Sequence, residues 1–468
     1  MKLTFYGGVN EIGGNKILLE DKETKIFLDF GMSFNESKKY YAEFLQPRMC
    51  NGLGDLIELG IAPDIQGIYR NDLLANEGRP LTEEPIVDAV FLSHAHADHC
   101  WHISLLHPDI PIHCGFTTKL MLQAAQETSQ GSYYTDFYKY KECFVDRWKK
   151  PERIRDFRTF RTGDKIKVKD IEVEPIHVDH SIPGAYGFLV HTSKGCVVYS
   201  GDLRFHGPRK DMTEDFIKAA KATRPIATIL EGTNIDERLG SLTEAEVFDK
   251  VTKVVKKTSN LALFAFPIRD VDRLNTFFNA AEDNNRNLVI SLKQAYLIEL
   301  LNKEDKNLNL PPIEAFDIFL DRCRWGRYEK EDYRKWQAQY LNYDNAVKAG
   351  DINKQQSDYM LYIDFFGLTD LLDIKPTLGS VFLHSLTEPF NEEMEFDFNR
   401  ILNWLNKFNI PLEHAHAGGH ANGEQLKEIA ENIDPKKLFP IHTENAEMFK
   451  QLIRENIVIP QYGVNYQL

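Results

Sequence analysis

The stretch that decides the fold is Ser93-His94-Ala95-His96-Ala97-Asp98-His99, which directly follows the apolar run Ala89-Val90-Phe91-Leu92. A buried strand that ends in the pattern H-x-H-x-D-H is hard to explain by packing. Neutral imidazoles and a carboxylate are the ligand set of a borderline metal such as Zn²⁺. Alternation along an extended chain sends His94, His96 and Asp98 to one side, and the following turn brings in His99 from the other. This arrangement favours two adjacent metal ions over one.

Size and composition indicate a soluble globular protein with two or more domains. The chain has 468 residues, of which 43% are hydrophobic and 27% charged. No stretch approaches the roughly 18 apolar residues of a membrane span, and the N-terminus enters a strand pattern without a leader, so we expect a cytoplasmic protein. The net charge of −14 argues against indiscriminate polyanion binding. It does not exclude a nucleic-acid enzyme with a local positive groove and bound cations.

The cysteines predict reduced structural thiols, because they are scattered and form no C-x-x-C pair. Cys100 adjoins the histidine cluster, and we expect it to be a packed small side chain rather than a ligand. The six cysteines are Cys50, Cys100, Cys114, Cys143, Cys196 and Cys323.

The pattern of apolar and polar residues along the chain changes at two places. Residues from about 35 to 85 are irregular and punctuated by proline and glycine, which predicts an insertion. After Arg204, helical blocks alternate with short apolar strands, which predicts a parallel α/β domain. The first of these blocks, Leu242 to Lys257, carries the capping box Thr243-x-x-Glu246.

One H-x-H-x-D-H cannot fill two metal shells, so further ligands are expected at the ends of other strands. His180, Asp202 and His442 each follow a predicted strand. Singly, each has an ordinary explanation as a loop or turn residue. Their joint occurrence at strand ends favours ligation.

The ordered series Asp29, His94-x-His96-x-Asp98-His99, His180 and Asp202 resembles the motifs of the metallo-β-lactamase superfamily. Glu231, in Leu230-Glu231-Gly232, and the later His420 and His442 resemble the motifs of its β-CASP branch, which includes ribonuclease J-like and cleavage-and-polyadenylation endonuclease-like nucleases. Together these motifs cover nearly the whole chain. The resemblance implies an α/β protein: an αββα sandwich with its metals at one edge of two β-sheets, interrupted by a parallel α/β β-CASP domain. The implied division is 1–203 and 386–468 for the sandwich and 204–385 for the insertion.

The resemblance also assigns roles to individual residues. His94, His96 and His180 would hold one Zn²⁺, and Asp98, His99 and His442 a second, with Asp202 bridging the two; Mn²⁺ is the alternative metal. Asp98 would serve catalysis as well as the metal, and Asp29 would orient a metal-bound histidine. Glu231 would position His420, which would protonate the leaving oxygen or bind the scissile phosphate. The implied substrate contacts are His416, Ser181 and Asn422, although Asn422 stands where the family usually has serine.

The implied activity is metal-dependent hydrolysis of RNA phosphodiesters, as an endonuclease, a 5′-exonuclease or both, by a hydroxide that two zinc ions activate. His442 favours RNA, because DNA-directed members of the branch commonly lack a histidine there. The alternatives are a DNA nuclease, with single-stranded DNA as substrate, and a small-molecule ester or phosphoester hydrolase. A non-catalytic RNA-binding scaffold is a third class, which the intact ligand set disfavours. The oligomeric state stays open between monomer and homodimer.

A last motif interleaves cations with aromatic rings, in Arg322-Cys323-Arg324-Trp325-Gly326-Arg327-Tyr328 and on to Trp336. Such a surface could stack bases and hold a nucleic-acid backbone. The competing interpretation, which we favour on sequence alone, is an amphipathic helix that buries its tryptophans.

Overall fold

The structure is a computed structural model that describes residues 1–42, 45–48, 51–142, 152–237, 241–389, 392–453 and 456–468. The chain divides into two compact units. The first unit comprises residues 1–205, 209–240 and 419–468, and the second comprises 206–208 and 241–418. Within the described ranges, no helix is both long enough and apolar enough to cross a membrane.

The strands are numbered in chain order. They are β1 Lys2–Phe5, β2 Ile17–Asp21, β3 Thr24–Leu28, β4 Ala89–Leu92, β5 Ile112–Gly115, β6 Lys139–Tyr140, β7 Arg153–Ile154, β8 Phe157–Phe160, β9 Ile166–Val168, β10 Ile171–His177, β11 Tyr186–Thr192, β12 Gly195–Tyr199, β13 Ala227–Glu231, β14 Ala262–Ala265, β15 Asn287–Ser291, β16 Asp317–Phe319, β17 Ala346–Val347, β18 Tyr359–Tyr362, β19 Val381–His384, β20 Leu412–His414, β21 Leu438–Ile441 and β22 Asn465–Gln467.

The α-helices are numbered in the same way. They are α1 Phe34–Lys38, α2 Gly54–Glu58, α3 Asn71–Asn76, α4 Ala97–Cys100, α5 Phe116–Glu127, α6 Lys210–Ala222, α7 Glu244–Lys257, α8 Val271–Asp283, α9 Leu292–Glu304, α10 Lys335–Ala338, α11 Ala349–Lys354, α12 Leu371–Ile374, α13 Glu392–Lys407, α14 Gly423–Ile433 and α15 Glu447–Leu452.

The first unit is built on two sheets with an apolar core between them. One sheet has the order β22-β1-β2-β3-β4-β5-β8 and the other β21-β13-β12-β11-β10-β9. Side chains from both sheets, including Leu28, Phe91, Val190 and Ile229, form one buried cluster. On the opposite face of the second sheet, α6 and α14 bury Phe216 and other apolar side chains in a separate cluster. The predicted sandwich of sheets covered by helices is confirmed.

The second unit is a parallel sheet of order β17-β16-β15-β18-β14-β19-β20. All of its strand pairs are parallel, as the alternation of helices and strands predicts. The capping box before α7 is confirmed, because Thr243 Oγ1 accepts a hydrogen bond from the Glu246 N–H and the Glu246 carboxylate accepts one from Thr243. The α/β class is therefore correct in both units.

The bounds of the units differ from the predicted 204–385 insertion. Residues 209–240 belong to the first unit, since β13 pairs with β12 and β21 there. Residues 386–418 belong to the second unit, since β20 pairs with β19. In the described part of 35–85, three short helices occur and no sheet strand.

The structure also bears on the predictions for the cysteines and for the segment around Arg322. Cys100, Cys114, Cys196 and Cys323 are free thiols, whereas Cys50 and Cys143 lie outside the described residues. The favoured amphipathic helix at Arg322 is wrong, because residues 320–328 form no helix and Trp325 is 81% exposed.

Candidate metal centre

The predicted site residues of the first unit lie at or just beyond the ends of its strands. His94 and His96 follow β4, and the expected turn is the one-turn helix α4, which carries Asp98 and His99. The other positions are Asp29 after β3, His180 after β10, Asp202 after β12, Glu231 at the end of β13 and His442 after β21. Because β3 and β4 are parallel, as are β12, β13 and β21, their carboxyl ends bring these residues together.

Three imidazoles and one carboxylate converge in a first group. His96 Nδ1 lies 3.0 Å from His94 Nε2 and 3.1 Å from His180 Nε2. Asp202 Oδ2 lies 3.6 Å from His94 Nε2 and 3.8 Å from His180 Nε2. These four donor atoms all lie within 4.8 Å of one another, which is the spacing of ligands around one ion.

A second group shares Asp202 with the first. His442 Nε2 lies 3.1 Å from Asp98 Oδ2, and His99 Nε2 lies 3.8 Å from the same oxygen. Asp202 Oδ2 is 3.1 Å from His99 Nε2 and 3.6 Å from His442 Nε2. The donor atom of Asp202 also forms a cluster with those of His420 and His442, and its bridging role stays a prediction.

Hydrogen bonds to the outer ring nitrogens fix the histidines. The His180 Nδ1–H donates to the Gly419 carbonyl oxygen over 2.6 Å, and the His99 Nδ1–H donates to Asp29 Oδ2 over 2.7 Å. The His442 Nδ1–H donates to Thr233 Oγ1 over 2.8 Å. Since a carbonyl and a carboxylate can only accept, His180 and His99 carry their proton on Nδ1 when neutral. Their Nε2 lone pairs then point inward, as metal ligation requires.

This donor set fits metal cations. His99 Nε2 is buried and has no hydrogen-bond partner among the described residues, although it lies 3.1 Å from Asp202 Oδ2. Asp202 Oδ1 is buried and has no hydrogen-bond partner among the described residues. Imidazoles and carboxylates at this spacing are ligands for Zn²⁺ and similar divalent ions.

The pKa values show the same electrostatic pattern. Burial, together with the neighbouring imidazoles, holds the pKa of His94 and of His180 well below the usual range. Burial would also lower the pKa of His99, but Asp202, Asp98 and Asp29 raise it well above the usual value. Burial would raise the pKa of Asp202, but His442 and His99 hold it well below the usual value. Burial thus favours neutral imidazoles at His94 and His180, whereas the carboxylates around His99 favour its charged form and stay ionised themselves.

Beside these groups lies a histidine held by a buried carboxylate. His420 Nδ1 is 3.2 Å from both carboxylate oxygens of Glu231, which is fully buried at the end of β13. The Glu231 oxygens also accept hydrogen bonds from the backbone N–H groups of Leu203 and Thr233. Burial would lower the pKa of His420, but Glu231, followed by Asp202 and Asp98, raises it to about 9. His420 is therefore an imidazolium at neutral pH, with its Nε2–H free of Glu231.

The predicted substrate contacts belong to both units. His416 belongs to the second unit, where its Nδ1 lies 3.1 Å from the Ser385 carbonyl oxygen and 3.3 Å from Arg273 Nη1. Asn422 caps α14, since its Oδ1 accepts from the Gln425 N–H over 3.0 Å. Ser181 follows His180 and is half-buried. Their contacts with substrate stay predictions.

The sequence interpretation missed three residues that support the centre. Ser93 donates its hydroxyl proton to Asp29 Oδ2 over 2.7 Å and lies 3.0 Å from His94 Nδ1. The Tyr199 hydroxyl donates to Asp29 Oδ2 over 2.5 Å. Thr233 holds His442. Proximity in sequence could have found Ser93, next to His94, and Thr233, two residues after Glu231; nothing local distinguishes Tyr199.

Two family models match the chain. Residues 63–238 match a model described as a beta-lactamase superfamily domain, and residues 413–460 match one described as a Zn-dependent metallo-hydrolase RNA specificity domain. The chain is 21% identical to ribonuclease J 2 of Streptococcus pyogenes, over 96% of this chain and 70% of that protein. It is 22% identical to ribonuclease J of Mycoplasma genitalium, over 95% of this chain and 68% of that protein.

A solved structure shares the fold. A protein of unknown function from Enterococcus faecalis V583 superposes with a TM-score of 0.75 at 24% identity, covering 100% of this chain and 99% of that one. With the two-sheet sandwich and the clustered donors, the family-model matches show a metallo-hydrolase whose residues 63–238 match the beta-lactamase superfamily domain. The RNA specificity model and the ribonuclease J relatives support the β-CASP branch and its ribonuclease J-like family.

Proposed function

We propose that this chain is a metal-dependent nuclease that hydrolyses the phosphodiester bonds of RNA. The observation that carries the proposal is the His420–Glu231 pair beside the converging donor atoms. A ribose oxygen is a poor leaving group, so its departure needs a proton donor such as this imidazolium. The names of the ribonuclease J relatives and the RNA specificity description of residues 413–460, which contain His420 and His442, support RNA as the substrate.

We propose two Zn²⁺ ions as the cofactors, with Mn²⁺ as the alternative. His94, His96 and His180 would hold one ion, and Asp98, His99 and His442 the other, with Asp202 shared. Two such ions supply a water of lowered pKa and positive charge opposite the phosphate.

The protein's own groups then have distinct tasks. The water oxygen forms the new bond to phosphorus while the bond to the leaving oxygen breaks. Asp98, whose side chain is 16% exposed, is more open to solvent than Asp202 at 2%, and it accepts the proton that the water loses. His420 gives its Nε2 proton to the leaving oxygen, and the Glu231 carboxylate stabilises the imidazolium beforehand and fixes the ring.

The test uses purified protein with four substrates: 5′-monophosphorylated RNA, 5′-triphosphorylated RNA, circular RNA and single-stranded DNA. Wild type is compared with His420→Ala, with and without a chelator. We expect chelator-sensitive cleavage of RNA that His420→Ala abolishes or nearly abolishes. Cleavage of circular RNA would indicate an endonuclease, and dependence on the 5′ end a 5′-exonuclease.

The matched control is His414→Ala, which removes a half-buried histidine of the second unit that packs against His384 and Phe398. It should cleave RNA like wild type. Metal-loaded wild type that cleaves none of the RNAs would overturn the proposal, and a preference for single-stranded DNA would replace RNA as the substrate.

A further inference from the structure

The second unit holds a tryptophan that the proposed mechanism does not use. Trp325 lies in the segment Arg322–Tyr328, here called the Trp325 loop, and is 81% exposed. In the described part of the chain, its indole makes no aromatic or cation–π contact. An indole has a large flat apolar face, and an exposed one can stack on a ligand.

The backbone of the Trp325 loop is fixed by a buried carboxylate. Asp332 is 3% exposed, and its oxygens accept hydrogen bonds from the Trp325 N–H over 3.2 Å and the Arg327 N–H over 2.6 Å. Burial would raise the pKa of Asp332, but backbone N–H groups of the loop lower it, so this anchor stays ionised. The indole is therefore displayed on an ordered loop.

The loop reaches this conformation only with unusual backbone angles. Arg324, Gly326 and Tyr328 have φ values of 44°, 68° and 59°, in the left-handed region. The positive φ of Gly326 is one that other residues rarely adopt, so the glycine favours this conformation of the loop. A strained and anchored loop around an exposed ring is a feature typical of ligand contacts.

Exposed arginines flank Trp325 in the chain, and the carboxylates of Asp321, Asp370 and Asp373 lie near the same loop. Arg322, Arg324 and Arg327 are all exposed. Arg322 forms only a loose ion pair, 3.6 Å from Asp373 with both side chains well exposed, and Arg324 Nη1 donates to the Glu331 carbonyl oxygen. Within the described ranges, the Arg327 side chain has no ion pair or hydrogen bond. The Asp332 charge nearby is occupied by the backbone amides.

Another exposed aromatic side chain of the same unit has the opposite surroundings. Phe396 is 66% exposed on the helix α13, and its chain neighbours are Glu395 and Asp397. Exposure of an aromatic ring is therefore not a general sign of cationic surroundings in this unit. The residues near Trp325 in the chain include Arg324 and Arg327, in contrast to the acidic neighbours of Phe396.

We infer that the Trp325 loop binds single-stranded RNA, with a base stacked on the Trp325 indole and adjacent phosphates held by Arg322 and Arg327. A nucleotide offers a flat apolar base beside a negatively charged phosphate, which complements an exposed indole in a segment with exposed arginines. This inference rests on the proposed function and identifies a contact for its substrate outside the metal centre. A base-paired duplex lacks free base faces and should use the indole little.

The experiment measures fluorescence anisotropy of a labelled 20-nucleotide single-stranded RNA with the full-length protein. All variants carry His420→Ala, so that the RNA persists. We expect Trp325→Ala to weaken binding about fivefold or more, Trp325→Phe to retain most of the affinity, and Phe396→Ala to bind like the parent. Arg327→Ala should reduce the slope of log affinity against log salt by about one. Binding of a blunt RNA duplex should be unaffected by Trp325→Ala.

Far-ultraviolet circular dichroism and the unfolding temperature check that each variant is folded. If Trp325→Ala binds single-stranded RNA as tightly as its parent, the inference fails, even where wild type cleaves RNA. Wild type that cleaves no RNA would overturn the proposed function. A weakened Trp325→Ala complex in the same experiments would still support the RNA contact. Equal loss with Phe396→Ala would indicate a general surface effect and also overturn the inference.

Discussion

His420 and Glu231 face each other with the imidazole Nδ1 equidistant, at 3.2 Å, from both carboxylate oxygens. The two residues lie far apart in the chain and meet because β13 ends at Glu231 while His420 precedes the helix α14. The pairing keeps a proton on His420 and leaves its second ring nitrogen for the substrate. This pair is therefore the basis for predictions about catalysis.

The first prediction concerns the pH dependence of cleavage. The pKa of His420 is raised to about 9, so the acid form persists at neutral pH and is lost as the pH rises through that value. Glu231→Gln removes the charge that raises the pKa. We therefore expect the alkaline limb of the kcat/KM profile on RNA to move to lower pH by about one unit or more.

Glu20→Gln is the control for the loss of a carboxylate in the first unit. Glu20 forms ion pairs with Lys2 and Lys25 and has no contact with His420. Its profile should match wild type. An unchanged alkaline limb in Glu231→Gln would show that His420 is not the titrating acid.

The second prediction separates proton donation from phosphate binding at His420. If the imidazolium protonates the leaving oxygen, His420→Ala should lower kcat on RNA by about 10²-fold or more. A phosphodiester with a p-nitrophenolate leaving group needs no protonation and should be hydrolysed nearly as fast as by wild type. Equal losses on both substrates would instead assign His420 to phosphate binding.

The third prediction concerns Asp29, which holds His99 through a 2.7 Å hydrogen bond. Asp29→Asn can present an amide N–H to His99 Nδ1, where a proton already lies, so the imidazole loses its orientation. We expect metal affinity to fall about 10- to 100-fold, measured by competition with a chromophoric chelator. The metal content after dialysis gives a second readout.

Asp21→Asn is a closely matched control. Asp21 is also a buried carboxylate at a strand end, and it accepts 2.7 Å hydrogen bonds from the N–H and the hydroxyl of Ser193, as Asp29 does from Ser93. It touches no histidine of the centre. Equal loss of metal in both variants would indicate general destabilisation in place of a specific role for Asp29.

The fourth prediction is that metal removal destabilises the first unit. Ions that bind only the folded chain add RT ln(1 + [L]/Kd), which is about 4 kcal/mol at a thousandfold excess over Kd. Their loss also leaves His99 Nε2 and Asp202 Oδ1 buried without a partner among the described residues. We expect a chelator to lower the unfolding temperature by several degrees, whereas the same chelator saturated with Ca²⁺ should not. No shift in metal-loaded protein would contradict this role.

Much of the fold could be predicted because local patterns agree with tertiary structure. The alternation of strands and helices after Arg204 gives the parallel sheet, and Thr243-x-x-Glu246 marks the start of α7 to within one residue. The domain bounds could not be read in the same way. Pairing with strands that are distant in sequence decides which sheet β13 and β20 join, and no local sequence feature predicts that pairing.

The site residues also differ in whether the sequence alone could identify them. Residues whose chemistry is written into a short motif, such as His94 and His96, were identifiable from composition and spacing. Tyr199 was not, because a tyrosine on an apolar strand has the pattern of a core residue, and only the fold brings its hydroxyl to Asp29. The helix predicted at the Trp325 loop was wrong for a related reason. Its conformation depends on Asp332 and on left-handed backbone angles, whereas helical periodicity predicts burial of its ring.

The last prediction concerns acid stability and a histidine outside the centre. His113 is 4% exposed in β5 and stacks on Phe91 with ring centroids 4.7 Å apart. Burial, with Arg158 nearby, lowers its pKa to about 4. The unfolded chain binds the proton at a pKa of about 6.5. The folded state therefore loses stability as the pH falls from about 6.5 to 4 and suffers no such loss above that range, with a total of about 3 kcal/mol.

His113→Phe keeps a ring for the stack but cannot bind a proton. We expect the free energy of unfolding of this variant to fall less than that of wild type between pH 7 and pH 4.5. Urea unfolding without chelator and with metal in excess measures it. His191→Phe is the control, because the side chain of His191 is 38% exposed. If the pH dependence of His113→Phe parallels wild type, protonation of other groups, such as the ligand histidines, governs acid unfolding.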